Sequence, residues 1–381
     1  MRAARHADPD AGPDVGPVAS IVLEQLLSRV PGGTGRYTRE LAAALASTAP
    51  EDARVRGWTA WHRDVATAQI AGVAGPRRLP LGARALAEAW RRGVGPVPTG
   101  DLLHAPTLLA PPAARGWARG GRGPLVVTIH DAVPWTHPET LTPRGARWHR
   151  DMGDRVARDA DAVLVPTHAV AEELARHLPL RRVEVVGEGV SSSVRTVPAD
   201  ADERAARLQL PPDGYALVVG TLEPRKGLDV ALAATRLAQW RALPLLVAGP
   251  RGWGDVELPA NGSVQLLGRV TDPDLAVAYS RASVVLVPSR AEGFGLPALE
   301  AMAHGVPVVV SEAPALVEVA GGAAVVVPCG DAEALASGVA AALTRHAELS
   351  AAGLERVTSF TWDAAARACW ELYARLWMHG R

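Results

Sequence analysis

Short apolar runs alternate with helix-period segments along this chain, and they do so twice, on either side of a break rich in proline and charge. In the first half Ala19–Leu23, Arg54–Trp58, Asp101–His104, Leu125–Ile129, Ala162–Val165 and Val183–Val186 read as strands. In the second half the strand-like runs are 215–220, 244–249, 263–268, 283–289, 306–311 and 323–328. Helical patterns separate most of them, so the strands are joined by crossovers and lie parallel. The apolar run Ser283-Val-Val-Leu-Val-Pro288 suits a strand covered on both faces. Between the halves, 195–214 shows only one short helical piece and no strand, which marks a linker. At 381 residues the chain exceeds what a single core usually supports. The expected fold class is therefore α/β, with two doubly wound Rossmann-like domains. Their expected bounds are 19–195 and 215–360, joined by 196–214. A final helix over 361–381 carries an apolar stripe of Trp362, Ala366, Cys369, Trp370, Tyr373 and Trp377. The first 18 residues, rich in Ala, Asp, Gly and Pro, lack the apolar core of a signal peptide and read as a disordered leader.

The segment Ser289-Arg-Ala-Glu292-Gly293-Phe294-Gly295-Leu296-Pro297-Ala-Leu-Glu300 places two carboxylates around a glycine turn between a strand and a helix. Pro297 fits the first helical position, where its missing N–H costs nothing. Gly293 and Gly295 let a ligand approach the backbone, and the helix start favours a phosphate. Glu292 stands at the strand end and Glu300 further along the helix, so both could accept hydroxyl hydrogen bonds from a sugar nucleotide. The competing reading is a tight turn whose two glutamates are merely solvated. A second signal accompanies the first. The chain's only lysine, Lys226, lies in Gly220-Thr221-Leu-Glu-Pro-Arg225-Lys226-Gly227, another strand-to-helix turn. An arginine grips phosphate oxygens bidentately and an ammonium is a compact point charge, so the pair suits a diphosphate.

Two features of the first half sit at comparable places. Gly32, Gly33 and Gly35 follow the first strand and precede a helix expected over Tyr37 to Ala46, so their amides could face a diphosphate. They could equally be only a turn. His130-Asp131 follows a buried strand, with Asp131 capping the next turn and His130 packing as the alternative to a binding role.

The run from Glu292 to Val309, with Leu316-Val-Glu-Val-Ala-Gly-Gly-Ala323, resembles the donor-binding signature of retaining glycosyltransferases of the GT-B fold, specifically glycosyltransferase family 4. The similarity extends to Pro31–Gly35, His130-Asp131, Pro224–Lys226 and Leu267-Gly268-Arg269-Val270. Many members carry arginine directly after the glycine of the first C-terminal strand, where this chain has Thr221. The resemblance implies a donor site made of Gly32, Gly33, Thr221, Arg225, Lys226, Val270, Glu292, Gly293, Phe294, Gly295, Leu296 and Glu300. Within it, Glu300 would hold the ribose, Glu292 and His130 the donor sugar, and Arg225 with Lys226 the leaving diphosphate. It also implies two domains facing one another across a cleft, a last helix returning to the N-terminal domain, and front-face transfer with retention. The stretch Val219–Gly227 is most similar to members that use GDP-mannose, with UDP-sugars as the second choice.

Other classes are set aside on composition. Forty acidic residues balance forty basic ones, which gives no electrostatic case for nucleic acid. Cys329 and Cys369 form neither a disulfide framework nor a metal cluster and fit a reducing cytosol. No apolar stretch reaches the ~20 residues that span a bilayer. Arg84 to Arg92 has an amphipathic pattern that reads as a surface helix, with peripheral membrane contact at the inner face as the alternative. Asp159/Asp161, Asp200/Asp202 and Asp272/Asp274 match a metal-binding Asp-x-Asp spacing but sit at junctions and caps, with Asp272 read as an N-cap. No cofactor or metal is expected. The expected activity is transfer of a hexose from a nucleotide-diphosphate sugar to a hydroxyl of a glycan, lipid or small molecule. Two alternatives stay open: a sugar-nucleotide epimerase or isomerase of the same fold, and a non-catalytic nucleotide-sugar-binding subunit. The tryptophans Trp58, Trp61, Trp90, Trp117, Trp135 and Trp148 of the first half are candidates for stacking on an acceptor glycan, and for plain core packing.

Overall fold

The computed structural model describes residues 16–112, 123–240, 243–250 and 264–379. The expected leader falls outside these except for its last three residues, of which Val18 already begins the first strand, and Trp117 falls outside them too. The chain divides into two compact units, an N-lobe of residues up to Pro166, Val170–Val186 and Trp362 onward, and a C-lobe of Thr167–Ala169 and Gly187–Thr361.

The N-lobe sheet contains β1 (Val18–Val22), β2 (Arg54–Trp61), β3 (Ala74–Gly82), β4 (Leu102–Ala105), β5 (Leu125–Thr128), β6 (Ala162–Val165) and β7 (Val183–Val185), in the order β3-β2-β1-β4-β5-β6-β7. All of its pairings are parallel. The helices around it are α1 (Gly32–Ser47), α2 (Ala83–Arg91), α3 (Val133–Thr136), α4 (Pro143–Asp159) and α5 (His168–Ala175), whose first two residues are counted with the C-lobe. Strand β3 has no counterpart in the sequence reading, because Pro76 and Pro80 break its apolar alternation. It pairs only with β2, and an edge strand tolerates proline.

The C-lobe repeats the plan with β8 (Ala216–Val219), β9 (Leu245–Ala248), β10 (Val264–Gly268), β11 (Val284–Val287), β12 (Val308–Ser311) and β13 (Val325–Val327), ordered β10-β9-β8-β11-β12-β13 and all parallel. Its helices are α6 (Ser192–Arg195), α7 (Ala201–Arg207), α8 (Leu228–Ala234), α9 (Asp272–Ser280), α10 (Leu296–Ala303), α11 (Pro314–Ala320), α12 (Ala332–Thr344) and α13 (His346–Val357). Strands β8, β9, β11 and β12 are buried almost throughout, as expected when helices cover both faces of a parallel sheet. The division between lobes falls at Val186/Gly187, ahead of the expected linker at 196–214. Val194 lies in the C-lobe core, and Arg204 and Arg207 of α7 both pair with Asp274 of α9, so this stretch packs as part of the C-lobe.

The last helix, α14 (Trp362–His379), belongs to the N-lobe. Trp362, Ala366, Cys369, Trp370 and Tyr373 are buried in one cluster with Tyr37, Leu41 and Leu45 of α1. The Trp370 indole donates to the Leu45 carbonyl at 3.1 Å. The amphipathic segment over Arg84 to Arg92 is α2, and its apolar side chains Leu86 and Trp90 are buried in the N-lobe core, so that face packs inward as in an ordinary surface helix. No helix among the described residues is long and apolar enough to cross a membrane. Cys329 is exposed and Cys369 buried, and neither is in a disulfide.

Candidate functional site

In the C-lobe the strand order reverses between β8 and β11, which are direct neighbours. Consecutive crossovers depart to opposite sides at such a point, and the carboxyl ends of the two strands frame a crevice for ligands. The turn after β8 is Pro224–Lys226 and the turn after β11 is Ser289–Gly295, so the topology brings the two sequence signals together.

Glu292 is the hub of the pair. Its Oε1 accepts from Lys226 Nζ at 2.6 Å and from Ser289 Oγ at 2.7 Å, while its Oε2 accepts from Arg225 Nη1 at 3.1 Å. Arg225 also donates to the Ala291 carbonyl at 2.9 Å and to Glu223 Oε1 at 2.6 Å. The Glu292 side chain is 7% exposed. Burial pushes its carboxyl up, but the charges of Lys226 and Arg225 and the hydrogen bonds from Lys226 and Ser289 outweigh that and hold the group at about 2. Glu292 is therefore a buried carboxylate at neutral pH. Three of its roughly four acceptor positions are taken within the lobe. The sequence implies a catalytic role for Glu292 through the donor sugar's hydroxyls. The structure shows it anchoring the two cations, because Lys226 and Arg225 reach it from the neighbouring turn, some 66 residues away in the chain.

Backbone sterics fix this arrangement. Gly227 ends the Lys226 turn at φ 66°, and a Cβ there would lie 2.0 Å from the Pro288 carbonyl oxygen. Gly295 caps α10 at φ 98°, where a Cβ would lie 2.3 Å from Leu316 Cδ2. Both positions require glycine on conformation and on space. Phe294 is buried edge-on against Phe360, with centroids 5.4 Å apart, and the Gly293 carbonyl accepts from Thr167 Oγ1 at 3.0 Å. Leu296 and Val270 are half-buried against the same core, and Thr221 is half-buried beside the Lys226 turn.

Glu300, on α10, is only 2% exposed. Its Oε2 accepts from Tyr279 Oη at 2.8 Å, and the Tyr279 ring stacks on His304 at 5.8 Å. His304 Nε2 donates in turn to the Val194 carbonyl at 2.8 Å, and burial lowers its pKa, so the imidazole is neutral. Both glutamates of the motif are thus buried and bonded, and the reading of two solvated side chains at a plain turn does not hold. Ser289, Glu223 and Tyr279, which hold the three charged groups, were not singled out in the sequence. Ser289 and Glu223 lie inside the two quoted motifs, three residues before Glu292 and two before Arg225, and so carried a signal that could have found them, whereas Tyr279 carried none.

In the N-lobe the glycines are not a loop ahead of the helix but its first turn. Gly32 opens α1 at φ 62°, five residues earlier than expected from Tyr37, and the Gly35 N–H is spent on the Pro31 carbonyl at 3.0 Å. That leaves Gly32 and Gly33, and not Gly35, at the helix start. His130 follows β5 and donates from Nε2 to the Pro106 carbonyl at 2.7 Å, its ring edge-on to Tyr37 at 4.5 Å. Asp131 accepts from the Val133 N–H at 3.0 Å, the capping role that was its alternative reading. His104, not anticipated from the sequence, lies fully buried between Tyr373 Oη at 2.6 Å and Thr128 Oγ1 at 2.9 Å. Burial, with a smaller contribution from His130, lowers its pKa to about 3, so it stays neutral while tying α14 to the sheet.

The Asp-x-Asp pairs are each engaged structurally. Asp159 pairs with Arg155, Asp161 accepts from the Leu125 N–H, Asp200 pairs with Arg204, Asp202 with Arg281, and Asp274 with Arg204 and Arg207. The N-cap of α9 is Thr271 rather than Asp272, its hydroxyl accepting from the Asp274 N–H at 3.3 Å. Of the candidate tryptophans, Trp90 and Trp58 are buried, Trp135 and Trp148 are partly buried, and Trp61 at the end of β2 is 57% exposed.

The family model "Glycosyltransferase Family 4" matches residues 31–194 and the model "Glycosyl transferases group 1" matches residues 213–345. The chain is 33% identical to O-antigen chain mannosyltransferase B of Escherichia coli over 254 residues, which is 62% of this chain and 67% of that protein. It is also 33% identical to a D-inositol 3-phosphate glycosyltransferase of Thermobispora bispora over 305 residues, 72% of this chain and 70% of the relative. Among solved structures, sucrose-phosphate synthase from Thermosynechococcus elongatus superposes with a TM-score of 0.71 at 23% identity, over 96% of this chain and 100% of the other. Anabaena Alr3699/HepE, solved with UDP-glucose, gives 0.68 at 18% identity over 94% and 100%. These likenesses show the fold the chains share.

Proposed function

The chain belongs to glycosyltransferase family 4 and is a glycosyltransferase of the GT-B fold, and on that premise we propose a hexosyltransferase that takes its donor in the C-lobe crevice and retains the anomeric configuration. The observation that carries the proposal is the Lys226–Glu292–Arg225 cluster at the β8/β11 reversal. It holds two cations in place before any ligand arrives, where a departing diphosphate needs charge stabilisation. Such pre-placed donors are worth several kcal/mol each, because they need no reorganisation during the reaction.

In the reaction, the bond from the anomeric carbon to the diphosphate oxygen breaks and a bond to the acceptor hydroxyl oxygen forms on the same face. The acceptor's proton passes to the leaving phosphate. Lys226 and Arg225 neutralise the charge that develops there, Glu300 accepts from the ribose, and Glu292 offers its remaining acceptor position to the donor sugar. Gly32, Gly33 and His130 are proposed to contact the substrates from the N-lobe. Arginine, lysine and amide groups suffice for the diphosphate, so the reaction proceeds without a divalent metal. For the donor we propose GDP-mannose, supported by the 33% identity to a mannosyltransferase, with a UDP-sugar as the second choice. The acceptor is a hydroxyl of a glycan, lipid or small molecule.

A thermal-shift panel of GDP, UDP, ADP and dTDP with their sugars tests the donor, since a ligand that binds only the folded state raises the melting point. GDP-mannose should give the largest shift. A larger shift with UDP-sugars would overturn the choice of donor, and no shift with any of them would overturn the site.

A further inference from the structure

We infer that Arg290 and Asp229 form a clamp that positions Lys226 and Arg225, making Arg290 a positioning residue for the transfer step, a role that rests on the donor site proposed above. The two turns that meet at the β8/β11 reversal are held together by more than Glu292. Arg290 donates its backbone N–H to the Arg225 carbonyl at 2.8 Å and its Nη1 to the Pro224 carbonyl at 2.7 Å. The same guanidinium grips Asp229, at the start of α8, through Nη1 at 2.9 Å and Nη2 at 2.6 Å. One side chain on the Glu292 turn therefore binds the segment carrying the two cations at its beginning, through Pro224, and beyond its end, through Asp229. Lys226 lies between these two points.

The geometry explains why an arginine stands there. Three acceptors, one carbonyl and both oxygens of a carboxylate, are met by one planar fork. A lysine at 290 has a single ammonium and cannot hold the same in-plane arrangement. The clamp contributes little to overall stability, because the Arg290 and Asp229 side chains are 34% and 60% exposed and exposed ion pairs are weak. Its effect falls on position. Gly227, with its Cβ direction closed by the Pro288 carbonyl, gives the turn no room to shift on that side. Loosening the other side lets Lys226 and Arg225 move relative to Glu292. Displacements on the order of 1 Å at such groups cost about ten- to a hundredfold in rate.

The test is a double-mutant cycle with donor turnover as readout. GDP-mannose hydrolysis without acceptor is followed by GDP release, with UDP-glucose as the second probe, in Arg290→Lys, Asp229→Asn, Lys226→Ala and the pairwise combinations. The inference predicts that Arg290→Lys and Asp229→Asn each lower kcat by about tenfold or more while melting temperatures stay near wild type. It further predicts that each loss is smaller in the Lys226→Ala background than in wild type, the remainder acting through Arg225, because residues acting through one group are non-additive. Wild-type kcat in both folded variants would overturn the clamp. So would losses that multiply fully with that of Lys226→Ala. A near-wild-type rate in Lys226→Ala alone would instead overturn the donor site on which the clamp rests.

Discussion

Replacing Glu292 with glutamine removes the negative charge at the centre of the cation cluster while keeping the side chain's size. The carboxyl is held at about 2 instead of its ordinary 4.5, and each pH unit of such a shift corresponds to about 1.4 kcal/mol. The group thus contributes on the order of 3 kcal/mol to folding at neutral pH. Glu223 still pairs with Arg225 in the variant, so a loss of about 1–3 kcal/mol is expected at pH 7. The sign of the pH dependence follows from the direction of the shift. The folded-state pKa is depressed, so the contribution is fully present above about 4.5 and is lost as pH falls toward 2. Urea unfolding of wild type and Glu292→Gln at pH 7 and pH 3.5 should show the stability gap narrowing by about 1–1.5 kcal/mol at the lower pH. Turnover should fall at least about a hundredfold in the same variant. A gap equal at both pH values, or one under about 0.5 kcal/mol at pH 7, would refute the assignment of Glu292 as the charged anchor.

Three further outcomes are expected. Lys226→Ala should lower turnover at least about a hundredfold with the fold intact, judged by kcat and circular dichroism, and a near-wild-type rate would remove Lys226 from the reaction. Glu300→Ala should weaken nucleotide binding in calorimetry and also cost about 1–3 kcal/mol of stability, because Tyr279 Oη loses its buried partner; unchanged affinity would show that Glu300 is structural only. EDTA should leave the rate nearly intact, whereas complete loss restored by magnesium or manganese would place a metal in the reaction.

Much of this fold was legible because its strands are fully buried and therefore appear as uninterrupted apolar runs, as in Val284–Val287 and Val308–Ser311. What escaped were features without such a run. Strand β3 escaped because its prolines sit where only a sheet edge permits them. The first turn of α1, from Gly32, escaped because glycine is a poor helix former and reads as a loop. At the site, the chain showed which residues carry charge and that both turns end strands. It did not show that Lys226 and Arg225 reach Glu292, or that Arg290 reaches Asp229, since these partners lie more than 60 residues apart and meet only through the β8/β11 pairing. The cap of α9 was displaced by one residue, since Asp272 and the observed N-cap Thr271 are adjacent and both residue types can cap.

Transfer from a nucleotide-diphosphate sugar with retention is tested by following GDP-mannose in the presence of the enzyme by proton NMR, with UDP-glucose run in parallel. Slow release of the nucleoside diphosphate is expected from one of these donors, with the α-anomer of the free sugar appearing before mutarotation produces the β-anomer. First appearance of the β-anomer would contradict retention, and an isomerised nucleotide sugar with no released diphosphate would contradict glycosyl transfer itself.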